Sequence, residues 1–312
     1  MPAIIAHDNF GQRILSEFGA RELDLDACNA FLLGNQGPDP LFYGQIGLST
    51  MPHSTLGSQM HRLDPARIIQ EWNRAIWAAP LAHREILRAY AAGFVCHYLL
   101  DSYAHPLVFS QQHAYCNAGI EGLTERDGSD VHIFIERDID EVVLFTNTGM
   151  TVAEYDPLKN GVLELSDWAL SIISRNYATV VWHSMGVRIP DMHFAHCVKL
   201  FRFSQRVLYS PTGVWRERLS KIDGSFRRYS FCRNMMMRPV PAEHSPYMNE
   251  DHREWIDSYT GERRNQSFYD LEETAHQEAL KWLPELFGTQ DLSIDTVREM
   301  TEGYCFSGQQ KF

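Results

Sequence analysis

The chain has 312 residues, of which 44% are hydrophobic and 12% aromatic, so it can bury a sizeable core. This composition excludes an intrinsically disordered protein. The formal charge of -12 at pH 7 disfavours a protein that binds duplex nucleic acid, because such binding requires a basic face.

The expected compartment follows from features that the sequence lacks. The opening residues, Met1 to His7, have neither the basic region nor the long apolar stretch of a secretory signal. No apolar run reaches the ~18 residues of a membrane-spanning helix. The six cysteines are scattered without a C-x-x-C pair, which predicts reduced and mostly buried thiols. We therefore expect a cytoplasmic protein without a transmembrane segment.

Helical periodicity dominates the chain, whereas strand-like alternation is scarce. The sequence therefore predicts an all-α, multi-helix fold. The segment 81–104 is apolar on most sides, as a central buried helix should be, and Pro106 predicts that this helix ends near His105. In chain order, the predicted helices span residues 65–79, 81–104, 130–145, 166–185, 192–209, 214–226 and 268–286.

Helix-breaking residues mark the predicted loops, and the histidine content indicates a division of the chain near residue 150. They cluster at 34–40, at 44–57 and at 238–247, and the last of these predicts a long surface loop or lid. The first half of the chain is rich in histidine. We expect residues 1–150 to form a metal-binding helical core, and residues 151–312 a helical extension that packs on it and shapes a substrate pocket. One continuous domain is the alternative.

The strongest chemical signal is His97-x-x-x-Asp101-x-x-x-His105 within the most apolar helix. Residues four apart project from the same helical face, so these three ionisable side chains form one buried polar stripe. Burying them is costly unless a divalent cation compensates them. The stripe spans roughly 12 Å, which is too long for one ion. A hydrogen-bonded core pair is the alternative explanation for His97 and Asp101.

A second pair, His132-x-x-x-Glu136, repeats this spacing on another apolar helix. Taken alone, such a pair is often found on a protein surface. Asp39 alone is typical of a turn, and His7 and His61 are typical of partly buried histidines. These positions indicate a site only through the order of the whole set.

That order resembles the zinc-dependent phospholipase C family, which is related to the secreted fungal and plant single-strand nucleases. The segments AFLLGNQGPDPLFYG, AYAAGFVCHYLLDSYAHP and VHIFIERDID look much like its intracellular bacterial members. The resemblance covers about residues 1–145. It implies an all-helical bundle around a cluster of two or three zinc ions. The secreted members begin with a tryptophan whose amino group binds the third zinc, whereas this chain begins Met1-Pro2-Ala3.

Carried over to this sequence, the resemblance implies one set of ligands for each ion. Asp39, His61, His97 and Asp101 would hold the first zinc, His105, His132 and Glu136 the second, and His7 with Asp101 the third. Asp39 is also the candidate for orienting or deprotonating the attacking water.

The function that this resemblance implies is phospholipase C-like hydrolysis of a phosphodiester or phosphomonoester by a metal-bound hydroxide. The expected partner is a phosphate-ester small molecule or a lipid headgroup. The alternative is a non-catalytic, metal-stabilised helical scaffold or binding protein. His193-x-x-His196 is attributed to ordinary helix packing. Glu273-x-x-His276 matches one half of a ferritin-like di-iron motif, but the sequence has no convincing second half.

Overall fold

The computed structural model describes residues 4–17, 23–45, 53, 55–121, 123–160 and 165–312. Within these residues the fold is all-α, as the sequence predicts. The helices are α1 (Ile4–Glu17), α2 (Leu25–Gly34), α3 (Leu56–Met60), α4 (Pro65–Ala78), α5 (Leu81–Cys116), α6 (Gly128–Thr148), α7 (Asp167–Met185), α8 (His193–Leu208), α9 (Val214–Asp223), α10 (Phe231–Met235), α11 (Phe268–Gly288) and α12 (Ile294–Thr301).

Short elements complete the described part of the chain. Short 3-10 helices occupy Asp39–Gln45, Glu125–Asp127 and Pro246–Met248. Two short strands, β1 (Trp255–Ile256) and β2 (Arg263–Arg264), pair antiparallel, with Trp255 opposite Arg264.

The main error of the sequence prediction concerns α5. This helix does not end near His105 but continues through Pro106 to Cys116. Proline removes one backbone hydrogen bond from a helix, yet the residues that follow it, Leu107 and Val108, are buried in the core. Their burial favours continuation, because local propensity is weaker than tertiary packing. Helices α1, α2, α3, α10 and α12 were not among the predicted helices.

The chain folds as two compact units, each assembled from three stretches. The first unit contains Met1–Asn9, Ala104–Gly161 and Gln205–Glu273, and the second contains Phe10–Tyr103, Val162–Ser204 and Thr274–Phe312. Both units thus include residues from before and after residue 150.

An aromatic cluster forms the core of the second unit. Tyr177 stacks on Phe194 with ring centroids 4.1 Å apart, and Trp72 packs against Tyr90 at 4.9 Å. Asn73, on the same helix as Trp72, donates hydrogen bonds to the carbonyl oxygens that end α11. This arrangement connects α4, α5, α7, α8 and α11 through large, fully buried side chains.

Helices α2 and α5 approach each other backbone to backbone in the second unit. A Cβ atom at Gly93 would lie 2.0 Å from the carbonyl oxygen of Phe31, and one at Gly34 would lie 2.1 Å from that of Tyr90. Only glycine allows this approach, because no real Cβ fits at those distances. The crossing places the turn after α2 against the middle of α5.

A charged network holds the long loop of the first unit against α6. Arg238 donates to the Glu141 carboxylate through its backbone N–H at 2.6 Å and its Nε at 2.7 Å. At the other end of the loop, the Ser245 hydroxyl donates to Asp138. Arg137, fully buried on α6, lies 3.5 Å from the same Glu141. The predicted loop 238–247 is therefore fixed to α6 at both ends.

Two further observations bear on the sequence analysis. All six cysteines are free thiols, and four of them are buried: Cys96, Cys116, Cys197 and Cys305. Among the described helices, none combines the length and the apolar character needed to span a bilayer.

We expect Gly93→Ala to lower the free energy of unfolding by about 1–3 kcal/mol or more, because its methyl group overlaps the Phe31 carbonyl. The matched control is Gly288→Ala at the end of α11, where an added Cβ meets no atom within 4 Å. Urea denaturation of both variants measures the difference. An equal stability of the two variants would contradict the close crossing.

Candidate metal centre

In the second unit, Asp39, His61, His97 and Asp101 come together. The ligand atoms of Asp39, His61 and His97 all lie within 4.8 Å of one another. His61 Nε2 is 3.3 Å from Asp39 Oδ1 and 3.8 Å from Asp101 Oδ2, and His97 Nε2 is 3.2 Å from Asp101 Oδ2. The spacing fits a group of donors around one cation. We name these four residues the Asp39 cluster.

Local structure places each member of this cluster. His97 and Asp101 stand one turn apart on α5, which gives them the same face. Asp39 begins the 3-10 turn after Gly37, and His61 is the C-terminal cap of α3. Gly37 has φ +53°, and a Cβ there would lie 2.1 Å from His97 Cδ2. A glycine at this position is required both by the backbone and by the imidazole ring.

Hydrogen bonds to carbonyl groups set the orientation of both histidine rings. His61 Nδ1 is 2.8 Å from the Gly57 carbonyl oxygen, and His97 Nδ1 is 3.3 Å from that of Asn35. A carbonyl oxygen only accepts, so Nδ1 carries the hydrogen and donates. In a neutral ring Nε2 then directs its lone pair at a carboxylate, which is unfavourable without a proton or a cation between them.

Aromatic side chains surround the Asp39 cluster. The rings of Phe42 and Phe306 lie 5.3 Å and 5.2 Å from the His61 ring, and Phe306 lies 5.9 Å from His97. Apolar walls lower the local dielectric constant, so a cation at the carboxylates would be held more strongly than in water.

A second group, His105, His132 and Glu136, forms in the first unit. Glu136 Oε1 is 3.5 Å from His105 Nε2 and 3.3 Å from His132 Nε2, and the three ligand atoms lie within 4.8 Å of one another. His132 Nδ1 is 3.0 Å from Gln112 Oε1, which orients this ring as the carbonyls do in the Asp39 cluster. Phe109 packs against both histidine rings. We name this group the Glu136 cluster.

Both clusters contain a carboxylate whose pKa is lowered. Burial by itself raises the pKa of Glu136, but nearby positive charge, including that of a protonated His132, and the hydrogen bonds that His105 and His132 donate when protonated hold this pKa well below its ordinary value. Burial likewise raises the pKa of Asp39, and nearby positive charge with the hydrogen bond that a protonated His61 donates lowers that pKa overall. Both groups are therefore carboxylates at neutral pH, the form that binds a cation.

Both clusters are accessible from solvent on one side. The side chains of His61 and His132 are 19% and 17% exposed, whereas that of His97 is fully buried. A metal site that only stabilises a fold is usually closed by protein ligands on all sides. The histidines at the edge of each cluster are thus less completely buried than His97.

Seven of the eight residues predicted as metal ligands thus fall into two groups that could hold metal ions. The eighth, His7, is buried on α1 in the first unit, whereas Asp101 belongs to the second unit. The third site expected from His7 and Asp101 stays a prediction. Gln112 and Gly37 were not predicted to contribute, because their roles arise from contacts distant in sequence.

The remaining histidine motifs are explained by packing. His193 is buried beside Cys197 Sγ at 3.8 Å, while His196 is exposed. His276 pairs with Glu17 at 2.9 Å. No group of three candidate ligands in the described part of the chain includes any of these residues.

We expect Gly37→Ala to reduce metal binding by the Asp39 cluster, because the methyl group would displace the His97 ring. Gly288→Ala is again the control. Metal content per folded chain, measured by mass spectrometry after dialysis against a trace of zinc, should fall in the first variant only. Full metal content in Gly37→Ala would show that His97 is not needed as a ligand.

Comparisons of the chain with protein-family models, with curated proteins and with solved structures give no match. The resemblance to the zinc-dependent phospholipase C family accordingly stays an interpretation of the residues and their order.

Proposed function

We propose that the protein is a zinc-dependent phosphoric ester hydrolase of phospholipase C-like chemistry. The observation that carries the proposal is the meeting of imidazole Nε2 atoms with ionised carboxylates in two largely buried clusters that include partly exposed histidines. Mixed nitrogen and oxygen donors at this number and spacing suit zinc better than calcium or magnesium, which prefer oxygen ligands alone.

The cluster residues have two proposed roles, which are to bind metal ions and to accept a proton from water. In the proposed assignment Asp39, His61, His97 and Asp101 hold one ion, and His105, His132 and Glu136 hold another. Bound zinc lowers the pKa of water and neutralises the charge that develops on a phosphoryl group. Asp39, which is ionised at neutral pH, would orient the attacking water and accept its proton.

The surroundings support an enzyme over a scaffold. A scaffold site would gain most from complete burial of its ligands, since water competes for the ion. Here His61 in one cluster, and both His105 and His132 in the other, are partly exposed. The ring-orienting carbonyls resemble the outer contacts that tune metal ligands. The expected substrate is a phosphate-ester small molecule or a lipid headgroup, and the expected compartment is the cytoplasm.

The proposal is tested by metal analysis combined with hydrolysis of a chromogenic phosphodiester. We expect two or three zinc ions per chain, together with turnover that a chelator abolishes and added zinc restores. Bound zinc without turnover on phosphodiesters and phosphomonoesters would favour the scaffold alternative. A protein that takes up no zinc on reconstitution would overturn the assignment altogether.

Variants of two aspartates distinguish a metal ligand from a residue that accepts the proton. We expect Asp39→Asn to keep most of the zinc and to lose activity by roughly a hundredfold or more, since the amide cannot accept the proton. Asp101→Asn should lose zinc, because Asp101 faces both His61 and His97. The control is His244→Gln, a surface histidine paired with Glu250. Equal zinc loss in both aspartate variants would show that Asp39 serves only as a ligand.

A further inference from the structure

A stripe of apolar side chains is exposed along α9 and the turn that follows it, within the first unit. Trp215 is 42% exposed, Ile222 59% and Phe226 88%. Such large apolar groups are normally buried or scattered singly on a surface. Their concentration within twelve residues of sequence therefore requires an explanation.

Helix geometry puts these side chains on one side. Trp215 and Ile222 are seven residues apart, which is two turns of a helix. The backbone N–H of Phe226 donates to the carbonyl oxygen of Asp223 at 3.0 Å, so the helical winding extends to that residue. Phe226 follows Ile222 by four positions and continues the stripe.

Basic side chains lie beside the stripe. Arg218 stands one turn from both Trp215 and Ile222, and Lys221 directly precedes Ile222 in the sequence. Both basic side chains are exposed, as are Arg227 and Arg228. Between Arg206 and Arg233 the sequence has seven Lys or Arg and two Asp or Glu, in a chain with a net charge of -12. Within the described residues, no carboxylate forms an ion pair with Arg218 or Lys221.

The opposite side of the segment is firmly anchored. Arg216 donates from Nε to the Met236 carbonyl oxygen at 3.0 Å and from Nη2 to that of Arg233 at 3.0 Å. Asp223 accepts hydrogen bonds from the Ser230 hydroxyl and from the Cys232 backbone N–H. These bonds fix which side faces outward, so the exposed stripe is a feature of the folded state.

We propose that this stripe, Trp215, Ile222 and Phe226 with Arg218 and Lys221, docks on the surface of an anionic lipid bilayer. Bulky apolar side chains with an indole among them suit the boundary between headgroups and acyl chains, and the adjacent cations suit anionic headgroups. A second copy of the chain is a poorer occupant, since pairing two such stripes would bring like charges together. The observations that support this docking surface do not depend on the proposed hydrolase activity.

The position of the stripe relates it to the Glu136 cluster. Arg227 Nη2 lies 3.8 Å from Asp130 Oδ1 on α6, and His132 follows Asp130 by two residues on that helix. Both the stripe and the Glu136 cluster belong to the first unit. Docking through the stripe would bring this unit to a surface that displays phosphate esters.

The experiment is co-sedimentation of the full chain with lipid vesicles at physiological salt. We expect binding to vesicles containing phosphatidylglycerol and little binding to pure phosphatidylcholine. Ile222→Ser with Phe226→Ser, and separately Arg218→Glu with Lys221→Glu, should each weaken binding by roughly tenfold or more. The control is Trp168→Ser in the second unit, which removes a side chain that is 51% exposed and should leave binding unchanged.

Circular dichroism and zinc content report whether each variant folds, and neither readout depends on turnover. Absence of binding to anionic vesicles, equal binding to neutral ones, or unchanged binding in both double variants would overturn the proposal. Self-association by light scattering that disappears in Ile222→Ser with Phe226→Ser, without vesicle binding, would assign the stripe to a second copy instead. A loss of turnover with vesicle binding intact would concern the proposed function alone.

Discussion

Each cluster depends on one interaction. A carboxylate oxygen faces an imidazole nitrogen among helices whose other packed side chains are mostly apolar. In the Asp39 cluster, carbonyl oxygens of Gly57 and Asn35 hold the Nδ1 hydrogens and thereby turn both Nε2 atoms toward carboxylates. Such an arrangement is unfavourable until positive charge enters. The same logic applies to His132, whose ring is turned by Gln112 toward Glu136. Both clusters could therefore hold a cation.

The backbone contact between α2 and α5 gives the Asp39 cluster its precision. Gly34 and Gly93 let the two helices meet without side chains between them, so their relative position is set by backbone atoms. The turn after α2 then delivers Asp39 beside His97, with Gly37 leaving just enough space for the imidazole ring. Side-chain packing alone would leave more freedom, because side chains can change rotamer.

Much of this arrangement could be predicted where it is local. His97 with Asp101, and His132 with Glu136, meet because four residues make one helical turn, and their sequence spacing is sufficient. The end of α5 could not be predicted from Pro106, because burial beyond the proline decides the outcome. The contribution of Gln112 depends on how α5 packs against the next helix, α6. No periodicity or propensity signal reports such contacts.

The orientation of the histidine rings has a consequence for how the clusters would exchange a bound ion. Each Nε2 position could accept either a metal ion or a proton, and either would neutralise the facing carboxylate. Removal of an ion would then be accompanied by proton uptake, so a metal ion and a proton would compete for the same nitrogen. Calorimetric metal titrations in buffers of different ionisation enthalpy would count the protons exchanged.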